Sequence, residues 1–187
     1  MPRSRTNQSH RPGTAVSRRS VVAGSVGIAA LPAAAPLDAA AVDAAEDERF
    51  MRIALAEASR ADLPFGAVIV RDGRILARGR NLGRTEGDPT AHGEMVAIRR
   101  LLAAHGSDAL KGATLYTSGE PCPMCIGAIL WCGIGRLVFA ASVPQLATRL
   151  DQIMMSSAEI AATARFAPLS ITGGVLAEEV MRLLDKK

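Results

Sequence analysis

Residues Glu120 to Gly133 read EPCPMCIGAILWCG and carry all three cysteines of a 187-residue chain. A run rich in strand-forming residues, ATLYTS (113–118), leads into them, and an apolar run follows. The cysteines therefore stand where a strand turns into a helix. Cys122 and Cys125 are three apart, so on an opening helical turn both sulfurs share one face. The exposed N–H groups of that turn favour thiolate. Three chemistries fit. A C-x-x-C redox pair asks for a thioredoxin-like context that TLYTSGEPCPMC does not clearly supply. A structural zinc centre asks for a fourth Cys or His, and Cys132 lies two helical turns too far along to serve. A catalytic zinc centre needs three protein ligands, so one histidine completes it.

Three histidines are available. His10 lies in the basic N-terminal segment. His105 ends a predicted helix next to Gly106, where a cation relieves the helix dipole. His92, in DPTAHGEM, opens a predicted helix with Glu94 two residues on. H-x-E alone is a weak signal. Combined with P-C-x-x-C after 29 intervening residues it is a strong one, because two helices entered from adjacent strands can bring an imidazole and two thiolates to one tetrahedral point.

Outward from this core, the N-terminal segment has a different character. Residues 1–19 contain five arginines and no acid, closing on Arg18-Arg19, and VVAGSVGIAALPAAAP (21–36) is uncharged and apolar. A positive region, a short apolar region and small residues describe a secretory signal over residues 1–41, and the arginine pair points to twin-arginine export to a periplasmic or extracellular site, the alternative being a cytoplasmic protein whose leader is not a functional signal. The apolar run falls short of the ~20 residues that span a bilayer, so no permanent membrane span is expected. Residues 46–187 are the expected domain. Removing residues 1–45 takes away five of the 22 basic and two of the 18 acidic residues, leaving a net charge of +1. With six aromatic residues in the whole chain, neither a phosphate-binding face nor a base-stacking platform is expected, and nucleic acid is an unfavoured partner.

Within that domain the pattern predicts helix over 44–61, a hairpin over 64–81 turning at Asp72-Gly73, helix over 90–106, and strand over 113–118. Helix over 122–133, strand over 136–142, a further strand near 168–174 and an amphipathic helix over 175–187 complete it. Strands alternating with helices predict a three-layer α/β/α sandwich around a mixed sheet of about five strands. The stretch 142–160 gives no clear pattern.

His92-Gly93-Glu94 with Pro121-Cys122-Pro123-Met124-Cys125 is the H-x-E…P-C-x-x-C signature of zinc nucleobase deaminases. The domain resembles the cytidine deaminase-like superfamily. PFGAVIV, GRN…DPTAHGEM and TLYTSGEPCPMC are most similar to its bacterial guanine deaminase and tRNA adenosine deaminase branch. The resemblance implies Zn²⁺ held by His92, Cys122 and Cys125, with Glu94 moving protons between the attacking water, a ring nitrogen and the leaving amino group. It further implies a substrate pocket including Asn81, Phe65, Ala91 and Trp131, and a homodimer. Gly93 replaces the usual Ala of the motif, a change expected to be harmless. Asp151 falls near the acidic proton shuttle of guanine deaminases without a clear match. Cys132 is expected to be a buried small hydrophobe.

The expected reaction is hydrolytic deamination of a purine base or nucleoside, guanine first, with release of ammonia. The alternatives are a tRNA adenosine deaminase, a cytosine or cytidine deaminase, and a zinc-stabilised binding domain without turnover. Export, the near-zero domain charge and the short DKK terminus oppose tRNA. Glu94 opposes the binding domain, since a structural site needs no acid there.

Overall fold

The computed structural model describes residues 39–166 and 168–186. All but the last three residues of the leader read over 1–41 lie outside the described residues. Helix α1 (Ala39–Ala58) is followed by strands β1 (Gly66–Arg71) and β2 (Arg74–Arg80), a short helix α2 (Gly83–Glu86) and helix α3 (Gly93–His105). Then come β3 (Thr114–Gly119), α4 (Pro123–Trp131), β4 (Arg136–Ala141), the short helices α5 (Val143–Leu146) and α6 (Ser157–Thr163), β5 (Ser170–Thr172) and α7 (Ala177–Leu184). The strand order is β2-β1-β3-β4-β5. β1 runs antiparallel to β2 and β3, whereas β3, β4 and β5 are parallel. This is the mixed five-stranded sheet that the sequence pattern predicts.

Side-chain alternation divides the core into two layers. Ala67, Ile69, Leu115, Leu137 and Phe139 face α3, α4 and α6. Val68, Val70, Tyr116, Val138 and Ala140 face α1 and α7. Both faces of β1 are thus covered, which explains why AVIV reads as a continuous apolar run. The hairpin turns where expected: Asp72 and Gly73 both have positive φ (52° and 68°), the conformation a two-residue type I′ turn demands.

The helices press unusually close to the hairpin. A Cβ on Gly66 would lie 2.3 Å from the Ala54 carbonyl of α1, and one on Gly79 would lie 2.1 Å from the Gly93 carbonyl of α3. These two glycines let helix backbone meet strand backbone, Gly66 setting the height of α1 above the sheet and Gly79 that of α3. Gly93 belongs to the same contact, since a Cβ there would sit 3.1 Å from the Gly66 Cα and the Phe65 carbonyl. The motif's usual alanine would have to displace β1 slightly, so Gly93 is part of the packing.

Candidate active site

Two helix N-termini meet at the end of β3. α3 begins at Gly93 because His92 is extended (φ −67°, ψ 157°) and serves as its N-cap residue. α4 begins at Pro123, a favoured first helical residue, after an equally extended Cys122 (φ −65°, ψ 167°). The Nδ1 of His92 lies 3.7 Å from Cys122 Sγ and 3.6 Å from Cys125 Sγ. All three donor atoms lie within 4.8 Å of one another, and they form the one His/Cys/Asp/Glu cluster of this kind among the described residues. A tetrahedral metal with bonds of ~2.0–2.1 Å to nitrogen and ~2.3 Å to sulfur would space such donors ~3.5 Å apart. The residues fit zinc in distance, in donor softness and in number, with the fourth position left to the cavity.

The thiols are not equivalent. A hydrogen bond from Cys125 and the neighbouring His92 hold Cys122 down to about 4, while Cys125, buried and donating to that thiolate, is pushed up. His92 is raised by its hydrogen bond to Cys122. A metal cation binding both sulfurs would displace the proton that Cys125 donates to Cys122.

Glu94, in the first turn of α3, is 5% exposed, and burial raises its carboxyl above the usual range. The Thr117 hydroxyl on β3 lies close enough to favour the ionised carboxylate, although it makes no well-formed hydrogen bond among the described residues. Ala67 and Thr117 are direct cross-strand partners, and the first turn of α3 rests on Ala67. Thr117 and Glu94 therefore occupy the same face of the sheet.

Above these groups opens a cavity of about 350 Å³. His92, Glu94 and Cys122 form its floor, and Phe65, Asn81 and Asp151 contribute to its walls. Asn81 is buried, and its backbone is fixed by bonds to Phe65 and Asp62. Its Oδ1 accepts from the Gly83 N–H at 3.2 Å, which leaves the side-chain NH₂ available to a ligand. Gly119 at the end of β3 admits Phe65 to the cavity, because a Cβ there would meet Phe65 Cε1 at 2.9 Å and Leu146 Cδ1 at 3.0 Å.

Two residues expected in the pocket are not brought there. Ala91 is fully buried beside Leu82 and Val96, and its carbonyl is taken by the Leu82 N–H. Trp131 ends α4, is 78% exposed and stacks on Phe166 with ring centres 4.6 Å apart. Cys132 also stands apart from the metal donors. It is half-buried, not enclosed, and packs against the core on the α3–α4 face.

Sequence reasoning missed the wall contributed by Leu146, Leu150, Gln152 and Ile153, and it missed Glu120. The Glu120 carboxylate is 8% exposed and accepts from the Val143 N–H through Oε2 and the Ser157 N–H through Oε1, both at 2.8 Å.

Residues 44–141 match the sequence model of the cytidine and deoxycytidylate deaminase zinc-binding region. The tRNA-specific adenosine deaminase of Haemophilus influenzae is 40% identical over 160 residues, covering 80% of this chain and 87% of that protein. The guanine deaminase of Bacillus subtilis is 53% identical over 78 residues, 42% of this chain and half the length of that relative. A solved structure from studies of A-to-I editing by tRNA:A34 deaminases superposes with a TM-score of 0.63 at 34% identity, covering 72% of this chain and 98% of that one. The chain belongs to the cytidine and deoxycytidylate deaminase family of zinc-binding deaminases.

Proposed function

We propose that the protein hydrolyses the exocyclic amino group of a free purine base or nucleoside, guanine first, to a carbonyl and ammonia. The observation that carries this reading is the buried Glu94 carboxyl on the floor of the same cavity as the His92 and Cys122 donors. Zinc at His92, Cys122 and Cys125 would supply a Lewis acid that acidifies the attacking water. Glu94 takes a proton from that water as its oxygen bonds to the amidine carbon, and passes it to the adjacent ring nitrogen. The carboxylate then takes the second proton of the former water from the new hydroxyl and delivers it to the amino group, so that the carbon–nitrogen bond breaks, ammonia leaves and the carbonyl forms. Burial raises the Glu94 carboxyl, which eases the taking of each proton more than its release to the substrate nitrogens, and both transfers run through one group held beside the donors.

Three features support a free base. The cavity is at the small end of the ~300–1,000 Å³ of ligand sites. Phe65 offers an aromatic wall, and the Asn81 NH₂ offers a donor for a purine carbonyl or ring nitrogen. The near-zero charge of residues 46–187 gives little attraction for a polyanion. A second reading, adenosine in tRNA, is favoured by the breadth of the match to the Haemophilus influenzae relative. Ammonia release should be measured from guanine, adenine, cytosine, their nucleosides and an RNA hairpin with adenosine in its loop. Turnover of guanine or its nucleoside is expected, and turnover of the hairpin alone would overturn the free-base reading.

We also infer a homodimer, testable by light scattering, and export directed by residues 1–41. Arg18→Lys with Arg19→Lys should hold an active, zinc-loaded protein in the cytoplasm. Unchanged export of that double variant would remove the twin-arginine assignment.

A further inference from the structure

The segment 143–157 supplies Leu146, Leu150, Asp151, Gln152 and Ile153 to the cavity wall, yet residues 151–156 have no helix or strand to hold them. Its two ends are tied to one side chain. The Glu120 carboxylate accepts from the N–H of Val143, the first residue of α5, and from the N–H of Ser157, the first residue of α6. The Ser157 hydroxyl adds a longer contact, 3.4 Å, to the Pro121 carbonyl. Glu120 is itself fixed by the bond from its N–H to the Ala141 carbonyl at the end of β4, 2.7 Å, and it lies two residues before the ligand Cys122.

We propose that Glu120 is a positioning residue for substrate, a clamp that closes the 143–157 segment over the cavity and sets its height above the zinc donors. The argument is one of charge and number. A carboxylate has acceptor positions for both N–H groups, and each bond, at 2.8 Å, is a charge-assisted one. Buried backbone donors left without a partner are costly, so loss of the carboxylate releases both ends of the segment. The inference rests on the deaminase reading for its kinetic consequence only. The clamp is observable without any substrate.

Glu120→Gln tests it. The amide keeps one acceptor oxygen and turns an NH₂ toward the other N–H donor, which removes one bond and adds a repulsion. Ser157→Pro is the companion variant. It deletes the other partner at a first helical position, where proline is tolerated. In full-length, zinc-loaded protein, amide exchange in peptides covering 143–157 should quicken ~10-fold or more in each variant, with zinc stoichiometry and exchange elsewhere unchanged; charge-assisted bonds of this kind account for such factors. On whichever base proves to be turned over, KM should rise ~10-fold while kcat falls less. The clamp is overturned if exchange in 143–157 is unchanged in Glu120→Gln. It is overturned equally if exchange quickens evenly across the domain, since Glu120 would then be an ordinary stability contact. Faster local exchange in a protein that releases no ammonia from any base would uphold the clamp and defeat only the assigned reaction.

Discussion

The parallel strands β3 and β4 carry buried ionisable groups at both ends, and the two ends are finished differently. At the N-terminal end Asp47 of α1 receives the Arg136 guanidinium on both oxygens at 2.7 Å and the Tyr116 hydroxyl at 3.1 Å. Arg136 reaches Thr172 as well, at 3.4 Å. Both Asp47 oxygens, both terminal nitrogens of Arg136 and the Tyr116 hydroxyl find partners within α1, β3, β4 and β5, and the Tyr116 hydroxyl is pushed well above its usual pKa by burial and by Asp47. At the C-terminal end His92, Glu94 and Cys122 line a cavity with Cys125 packed against them, and their donor atoms converge on a point open to that cavity. A closed network can only hold elements together. An open one costs stability and can do chemistry.

That contrast can be broken, most severely at the open end. His92→Ala or Cys122→Ala should abolish zinc binding and turnover together and lower the melting temperature, because two protein ligands are too few for a catalytic site. Metal analysis decides this, and full zinc occupancy in Cys122→Ala would sink the assignment. Glu94→Gln should keep zinc and the melting temperature while ammonia release falls ~10²–10⁴-fold, the usual share of a proton-transfer group.

At the closed end the expected effects reverse. Asp47→Ala strips Arg136 and Tyr116 of their partner. It should cost ~2–3 kcal/mol, below the ~3–5 of a fully buried pair because Arg136 keeps some solvent. The melting temperature should drop by ~5–10 °C, with turnover at 25 °C unchanged. A large loss of activity without a loss of stability would show that the two ends are coupled. The smallest effect is expected from Thr117→Val, which removes the hydroxyl beside Glu94 at constant shape. A polar contact short of a well-formed hydrogen bond corresponds to at most ~3-fold in kcat. Thr117→Ser should restore the rate, and equal rates in all three proteins would show that the hydroxyl is idle.

The metal donors were legible because coordination fixes both residue type and spacing, so His92, with Glu94 beside it, and Cys122-x-x-Cys125 become a strong signal once taken together. Asp72-Gly73 was legible for a similar reason, since few residues accept positive φ twice. The segment 142–160 could have been read further. Ser142 with Gln145 and Ser156 with Glu159 are capping boxes that open α5 and α6. Glu120 was illegible, because its partners lie 23 and 37 residues away and no local pattern joins them. Trp131 misled for a geometric reason: eight residues beyond the start of α4 is ~12 Å along the axis, and the helix runs away from the cavity. Gly93 was read as a neutral loss of a methyl group, and its role emerges only once β1 and α3 are seen in contact.

The position of Trp131 has a practical consequence. It is the chain's single tryptophan, largely in water and stacked on Phe166, on the helix that carries Cys125. Its emission in the native protein should already lie at long wavelength and be open to collisional quenchers. Red-shift assays would therefore follow denaturation poorly. Small changes in its quantum yield, by contrast, should follow the seating of α4 against the 164–166 turn, giving an optical signal of metal loading that needs no added dye.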